Sequence, residues 1–242
     1  MMVSKDQEIL CTIAANVYHF TGCGSYKSDG TIVANIEKRV KAYLSAIRHR
    51  AVKKATRKGV KINNLKPGDI YTALKGTPEF YGVRYCILWK KLKRKLEMEA
   101  DDPMEIVDEE TDALETVDVL QSALDKLNDG SKQFTQYVQE KEEVKRHADI
   151  LTNSMTLDEY QQYHKKPKIK FTKEMLKHWL EWERITPDLS TIFAWLTVYK
   201  IRKIMYKATK SHEIMNSSLF SNEETQLKKL RDTMLNLSYF ID

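Results

Sequence analysis

The chain has 242 residues, 42% hydrophobic and 31% charged, with a formal net charge of +6. It carries 8 glycines, about half the usual share of roughly 7%, which disfavours the phosphate loops, barrels and sandwiches that need glycine at tight turns. No apolar run reaches the ~18 residues of a membrane helix, the start Met1-Met2-Val3-Ser4-Lys5-Asp6 lacks the apolar stretch of a signal peptide, and three widely spaced cysteines (Cys11, Cys23, Cys86) suit a reducing compartment. In chain order, Ile9, Ile13, Val17 and Phe20 recur at three- and four-residue steps and predict a helix over 6–21 that stops at Gly22-Cys23-Gly24-Ser25. A longer helix follows a Ser28 or Asp29 cap. Its stripe is Val33, Ile36, Val40, Leu44, Ile47 and Ala51, and Gly59 sits where a terminating glycine belongs. Val60-Lys61-Ile62 alternates like a short strand. Pro67 opens a short helix with Ile70, Ala73 and Leu74 inward, Gly76-Thr77-Pro78 breaks it, and a helix over 79–98 buries Phe80, Val83, Ile87, Leu88 and Leu92.

The second half repeats this outline. Leu114, Val117, Leu120, Leu124 and Leu127 form a stripe ending near Asp129-Gly130, and a polar helix over 131–151 carries Phe134, Tyr137, Val138, Val144 and Ile150. Thr156-Leu157-Asp158-Glu159 is a capping-box pattern that opens a short helix with Tyr160 and Tyr163. Thr172 caps a helix with Leu176, Trp179, Leu180 and Trp182, and Phe171 is placed to staple onto Leu176. Thr186-Pro187 starts a long helix reaching toward Glu213, with Leu189, Ile192, Phe193, Leu196, Tyr199, Lys203 and Tyr206 near one side. Ser221-Asn222-Glu223-Glu224 is a further capping box, followed by Leu227, Leu230, Met234 and Leu237.

Charge is segregated. Between Lys38 and Lys95 stand eighteen Lys/Arg and two acids, Asp69 and Glu79; from Glu97 to Asp118 stand eleven acids and no Lys/Arg. The first block suits an acidic surface or nucleic acid, and the second a solvated linker. Short, long and short helices written twice resemble the outline of two histone folds in one chain, each of which pairs head to tail with another. Val60-Lys61-Ile62 before Asp69-Ile70-Tyr71-Thr72-Ala73-Leu74, then Lys75 and Pro78-Glu79-Phe80-Tyr81-Gly82-Val83-Arg84, resemble the histone fold of TBP-associated factor thirteen. Ile150-Leu151-Thr152 to Tyr160, Phe171-Thr172-Lys173 with Trp179-Leu180, and Pro187 to Ala208 resemble the second fold of the SAGA coactivator subunit family called suppressor of Ty, three.

The resemblance implies an all-α chain: histone fold 1 with an added helix over 1–98, an acidic linker and connector helices over 99–166, and histone fold 2 over 167–242. The two folds would pair within the chain through a core of Ile36, Val40, Leu44 and Ile47 on one long helix and Ile192, Phe193, Leu196 and Tyr199 on the other. It implies a nuclear, non-enzymatic coactivator subunit that binds the TATA-binding protein (TBP), sits among other subunits of a coactivator complex and touches DNA, if at all, indirectly. A TFIID-type histone-fold subunit and a double-histone DNA-binding protein are the alternatives.

Other chemistry is poorly represented. His19, Cys11 and Cys23 fall short of the four well-spaced ligands of a zinc site. Gly22-Cys23-Gly24-Ser25 lacks the Gly-Lys-Ser/Thr ending and the preceding strand of a phosphate loop. The six histidines and the pairs Glu109-Glu110 and Glu142-Glu143 have no partner arrangement for catalysis, so no metal, cofactor or enzymatic activity is expected. Trp179, Trp182, Trp195 and Tyr199 read as core packing. Arg48, Arg50, Lys53, Lys54, Arg57 and Lys58 form a candidate basic face for DNA or a partner, against the simpler reading of a solvated helix end. Lys90 to Lys95 suits a nuclear-import signal.

Overall fold

In the computed structural model, residues 4–22, 30–57, 59, 65–99, 121–122, 124–165 and 169–210 are described. They are mostly helical, with no strand among them. The elements are α1 (Lys5–Thr21), α2 (Gly30–Thr56), α3 (Pro67–Leu74), α4 (Pro78–Glu99), α5 (Lys132–Asn153), α6 (Leu157–Lys165), α7 (Lys173–Trp179) and α8 (Pro187–Lys210). The segments around Val60-Lys61-Ile62, Leu114 to Leu120 and Leu227 to Leu237 lie outside the described residues. No described helix is long and apolar enough to cross a membrane.

Local chemistry sets most of the helix starts. The Ser4 hydroxyl accepts from the Gln7 N–H and the Gln7 side chain accepts from the Ser4 N–H, a reciprocal cap on α1. Pro67 occupies the first turn of α3, and Asp69 reaches back to the Lys66 N–H at 2.9 Å. Thr156 and Glu159 close the expected box on α6, Thr172 caps α7 through the Met175 N–H, and Thr186 caps α8 through the Leu189 N–H. Helix α2 stops at Thr56, and Gly59 takes φ +76°, a conformation that costs glycine little.

The chain divides into two compact units, Met1–Arg50 with Glu143–Asp242, and Ala51–Glu142. The units do not follow the halves of the sequence, because α1 and most of α2 cluster with elements from beyond residue 142. In the first unit α1 packs against α7 and α8, and α7 packs against α8. Ile9, Ile13, Val17 and Phe20 are buried as the periodicity predicts, and Thr12, Ala14, Ala15 and Tyr18 join them. In the second unit α3 packs on α4, with Ile70, Ala73 and Leu74 buried. Val83 and Ile87 of α4 are buried, whereas Phe80, Leu88 and Leu92 are half-buried. The Tyr81 hydroxyl donates to Asp129 at 2.6 Å and lies 2.7 Å from Ser131 Oγ; burial raises its pKa, while Tyr81 and Ser131 hold the Asp129 carboxyl low.

Two expected faces are rotated. On α5 Ile150 is exposed and its neighbour Leu151 is buried. On α8 the buried face runs through Ile201, Ile204, Met205 and Ala208, and Tyr199, Lys203 and Tyr206 are half-buried beside it. Thr197 can be fully buried because its hydroxyl bonds the Phe193 carbonyl at 2.7 Å, which widens the apolar face on that side.

Helix α7 ends early, at Trp179. The Trp182 N–H donates to the Lys177 carbonyl at 2.9 Å and the Glu181 N–H to the His178 carbonyl at 3.2 Å, a Schellman pair of bonds around Glu181 at φ +51°. Trp182 thus stands beyond the helix, carried by the turn into the core. A side chain is strained in this left-handed conformation, so Glu181→Gly should raise the free energy of unfolding by about 0.5–1 kcal/mol. Urea denaturation checks this, and a lower midpoint would contradict the reading of the turn.

Candidate pairing interface and basic face

All contacts in this paragraph lie within the first unit. Helix α8 supplies Ile192, Phe193 and Leu196, and α2 supplies Ile36, Val40, Leu44 and Ile47; all seven are fully buried. Tyr199, the eighth residue of the expected core, is half-buried instead: it stacks on Trp195 with ring centroids 5.0 Å apart, and its hydroxyl accepts from Lys203. The two long helices meet where the Lys200 ammonium lies 4.8 Å from the Tyr43 ring. Tyr43 is the middle residue of α2, and Lys200 lies close to the middle of α8.

The turn after α7 ties α2 to the second half of the sequence. Trp179 donates its indole N–H to the Glu37 carboxylate. Three turns along α2, the Arg48 guanidinium donates to the Leu180 carbonyl at 2.7 Å and sits 5.1 Å from the Trp182 ring. Trp182 meets Phe193 edge to face at 5.1 Å. Phe171 is buried, and its ring lies parallel to Trp179 at 5.9 Å. Trp179 and Trp182 are core residues, as expected, but they also carry the polar and cation–π bonds that fix α2. Glu37, Tyr43 and Lys200 were not among the residues singled out from the sequence. Nothing in a single sequence pairs a glutamate with a tryptophan 142 positions away.

The basic set is split. In the first unit Arg48 is spent on Leu180 and Trp182, and Arg50 is exposed. In the second unit Lys53 and Arg57 are exposed, and Lys54 donates to the Thr72 carbonyl in the last turn of α3 at 2.7 Å, a bond suited to a helix C-terminus. Lys58 lies outside the described residues. Of the import-type run, Lys91 and Arg94 are exposed and Lys90 is half-buried.

Among the described residues no group of three or more His, Cys, Asp or Glu is placed to hold a metal ion. A wide, shallow depression of about 550 Å³ near the start of α1 and the end of α7 is lined by charges of both signs, including Lys5, Glu174 and Lys177, with His178 paired to Asp6 at 3.0 Å. No family model, curated protein or solved structure matches the chain.

The different duties of Arg48 and Arg50 are measurable. Arg48→Ala should cost about 1–2 kcal/mol of stability, because it removes both the bond to Leu180 and the cation over Trp182. Arg50→Ala should stay within about 0.5 kcal/mol of the parent. Equal losses for the two variants in chemical denaturation would contradict the assignment.

Proposed function

We propose that this chain is a non-enzymatic transcription coactivator subunit, built of two histone folds paired within one chain, that binds TBP and helps deliver it to promoters as part of a SAGA-like complex. The observation that carries the pairing is the packing of α1, from the first helix trio, against α7 and α8 of the second. The meeting of Tyr43 and Lys200 near the middles of the long helices supports the same arrangement. Two independent bundles would have kept α1 with its own trio. The TBP-binding role rests on the resemblance of the helix trios and their motifs to the suppressor of Ty, three family. The host complex, SAGA-like or TFIID-like, is read by which subunits co-purify with the chain.

A DNA-binding reading is favoured by one observation, the exposure of Arg50, Lys53 and Arg57. Three phosphate contacts would weaken about 40-fold between 50 and 200 mM salt, from a slope of roughly 0.9 per contact. The test is retention of the full chain on immobilised TBP beside a mobility-shift assay with duplex DNA at those two salt levels. The proposal expects TBP retention that survives the triple change Arg50→Glu, Lys53→Glu and Arg57→Glu. No TBP retention, with strong DNA binding that the triple change abolishes, would replace it with the DNA-binding reading.

A further inference from the structure

The C-terminal end of α1 is closed by side chains from two other helices of the first unit. Gly22 returns its N–H to the Tyr18 carbonyl at 2.8 Å. The next two carbonyls are met by side chains from other helices. Tyr163 of α6 donates its hydroxyl to the His19 carbonyl at 2.8 Å. His147 of α5 lies 2.8 Å through Nε2 from the Phe20 carbonyl, so Nε2 carries the proton. The imidazole lies parallel to the Phe20 ring at 4.3 Å.

His147 is 5% exposed, and its Nδ1 is buried with no hydrogen-bond partner. The neutral ring fits this site, since an unpaired acceptor is tolerated there. A second proton would place an N–H and a full charge in a pocket with no acceptor for them. Helix α6 is held lightly: Tyr163 is the one buried residue among its nine, and it packs with Tyr18 and Leu151. Leu157 and Tyr160 on the same helix are exposed.

We propose that this junction is a proton-operated latch, in which protonation of His147 releases α6 and the adjoining end of α5 from the C-terminus of α1. The groups that face it are known from each element. Helix α1 brings Tyr18 and His19, the latter with its ring 5.4 Å from Tyr163. Helix α6 brings Tyr163 and His164, whose rings are 5.5 Å apart. Helix α8 brings Arg202, whose charge acts on the Tyr163 phenol. On α5 itself Glu143 stands one turn before His147 and does not contact Nδ1.

Burial lowers the His147 pKa, and the bond to the Phe20 carbonyl offsets only part of that. The open junction therefore binds more protons than the closed one as pH falls below the ordinary imidazole value of about 6.5. The closed state is fully favoured above that value and loses ground below it, by up to about tenfold in population per pH unit.

The test uses the full chain and hydrogen exchange of residues 17–21 and 143–165 at pH 7.5 and 5.5, corrected for intrinsic exchange rates. The parent should open up to about tenfold more at pH 5.5. His147→Gln, which keeps an N–H toward the Phe20 carbonyl and takes up no proton, should lose that response. NMR titration of the parent's histidines is the second readout, with the His147 midpoint below 6.5. A parent that does not open at pH 5.5, a His147→Gln variant that opens as much as the parent, or a His147 midpoint at or above 6.5 overturns the proposal.

Discussion

The constraint on which the first unit depends is the burial of α1 on nearly all sides from Thr12 onward. Thr12, Ile13, Ala14 and Ala15 are consecutive, and all four are buried. Four consecutive helical residues sweep most of a turn, so neighbours must stand around the helix. Among those neighbours are α7 and α8, the His147 ring of α5 and the Tyr163 hydroxyl of α6. These follow residue 142. The contacts these elements make with α1 close long stretches of chain. Each large apolar side chain that α1 buries contributes about 1.5–3 kcal/mol, set against the cost of ordering those stretches. Ala14 and Ala15 keep the middle of α1 slim where neighbours approach.

Polar bonds then fix how α2 lies against the turn after α7. An apolar stripe of Ile36, Val40, Leu44 and Ile47 drives burial without fixing register, since it is nondirectional. Glu37 on the Trp179 indole and Arg48 on the Leu180 carbonyl and Trp182 ring grip one short turn from two places three helical turns apart. The turn can be gripped there because Glu181 accepts a left-handed conformation that drops Trp182 into the core. One strained residue thereby joins the end of α7 to both long helices. The same logic explains why only part of the basic set remains exposed: a cation near an aromatic, carbonyl-rich turn is used for packing, and one a turn further on is left in water.

Features governed by local chemistry were legible in the sequence. The caps at Thr156, Thr172 and Thr186, the proline starts at Pro67 and Pro187, and the stripes of α1 and α2 all depend on residues within a few positions of one another. Choices between adjacent faces were not legible. Ile150 and Leu151 fit the helical period of α5 almost equally, and only the position of Tyr18 and Tyr163 makes Leu151 the buried one. On α8 the half-buried Tyr199 and Tyr206 fit an apolar stripe as well as Ile201 and Met205 do, and the buried side is set by what surrounds the helix. His147 gave no signal because its partner is a backbone carbonyl 127 residues away. Burial of the apolar stripes was legible, since Ile36, Val40, Leu44, Ile47, Ile192, Phe193 and Leu196 are fully buried, while the bonds made by Glu37, Tyr43 and Lys200 are long-range pairs that one sequence does not encode in any local pattern.

The dependence of α1 on helices from beyond residue 142 is tested most directly by fragment complementation. Residues 1–99 and 121–242 would be prepared separately, and circular dichroism and NMR dispersion recorded for each alone and for the equimolar mixture. The account predicts that each fragment is poorly ordered alone and that mixing restores the helicity and a dispersed spectrum. Cooperative folding of either fragment by itself, with full helicity and no change on mixing, would contradict it.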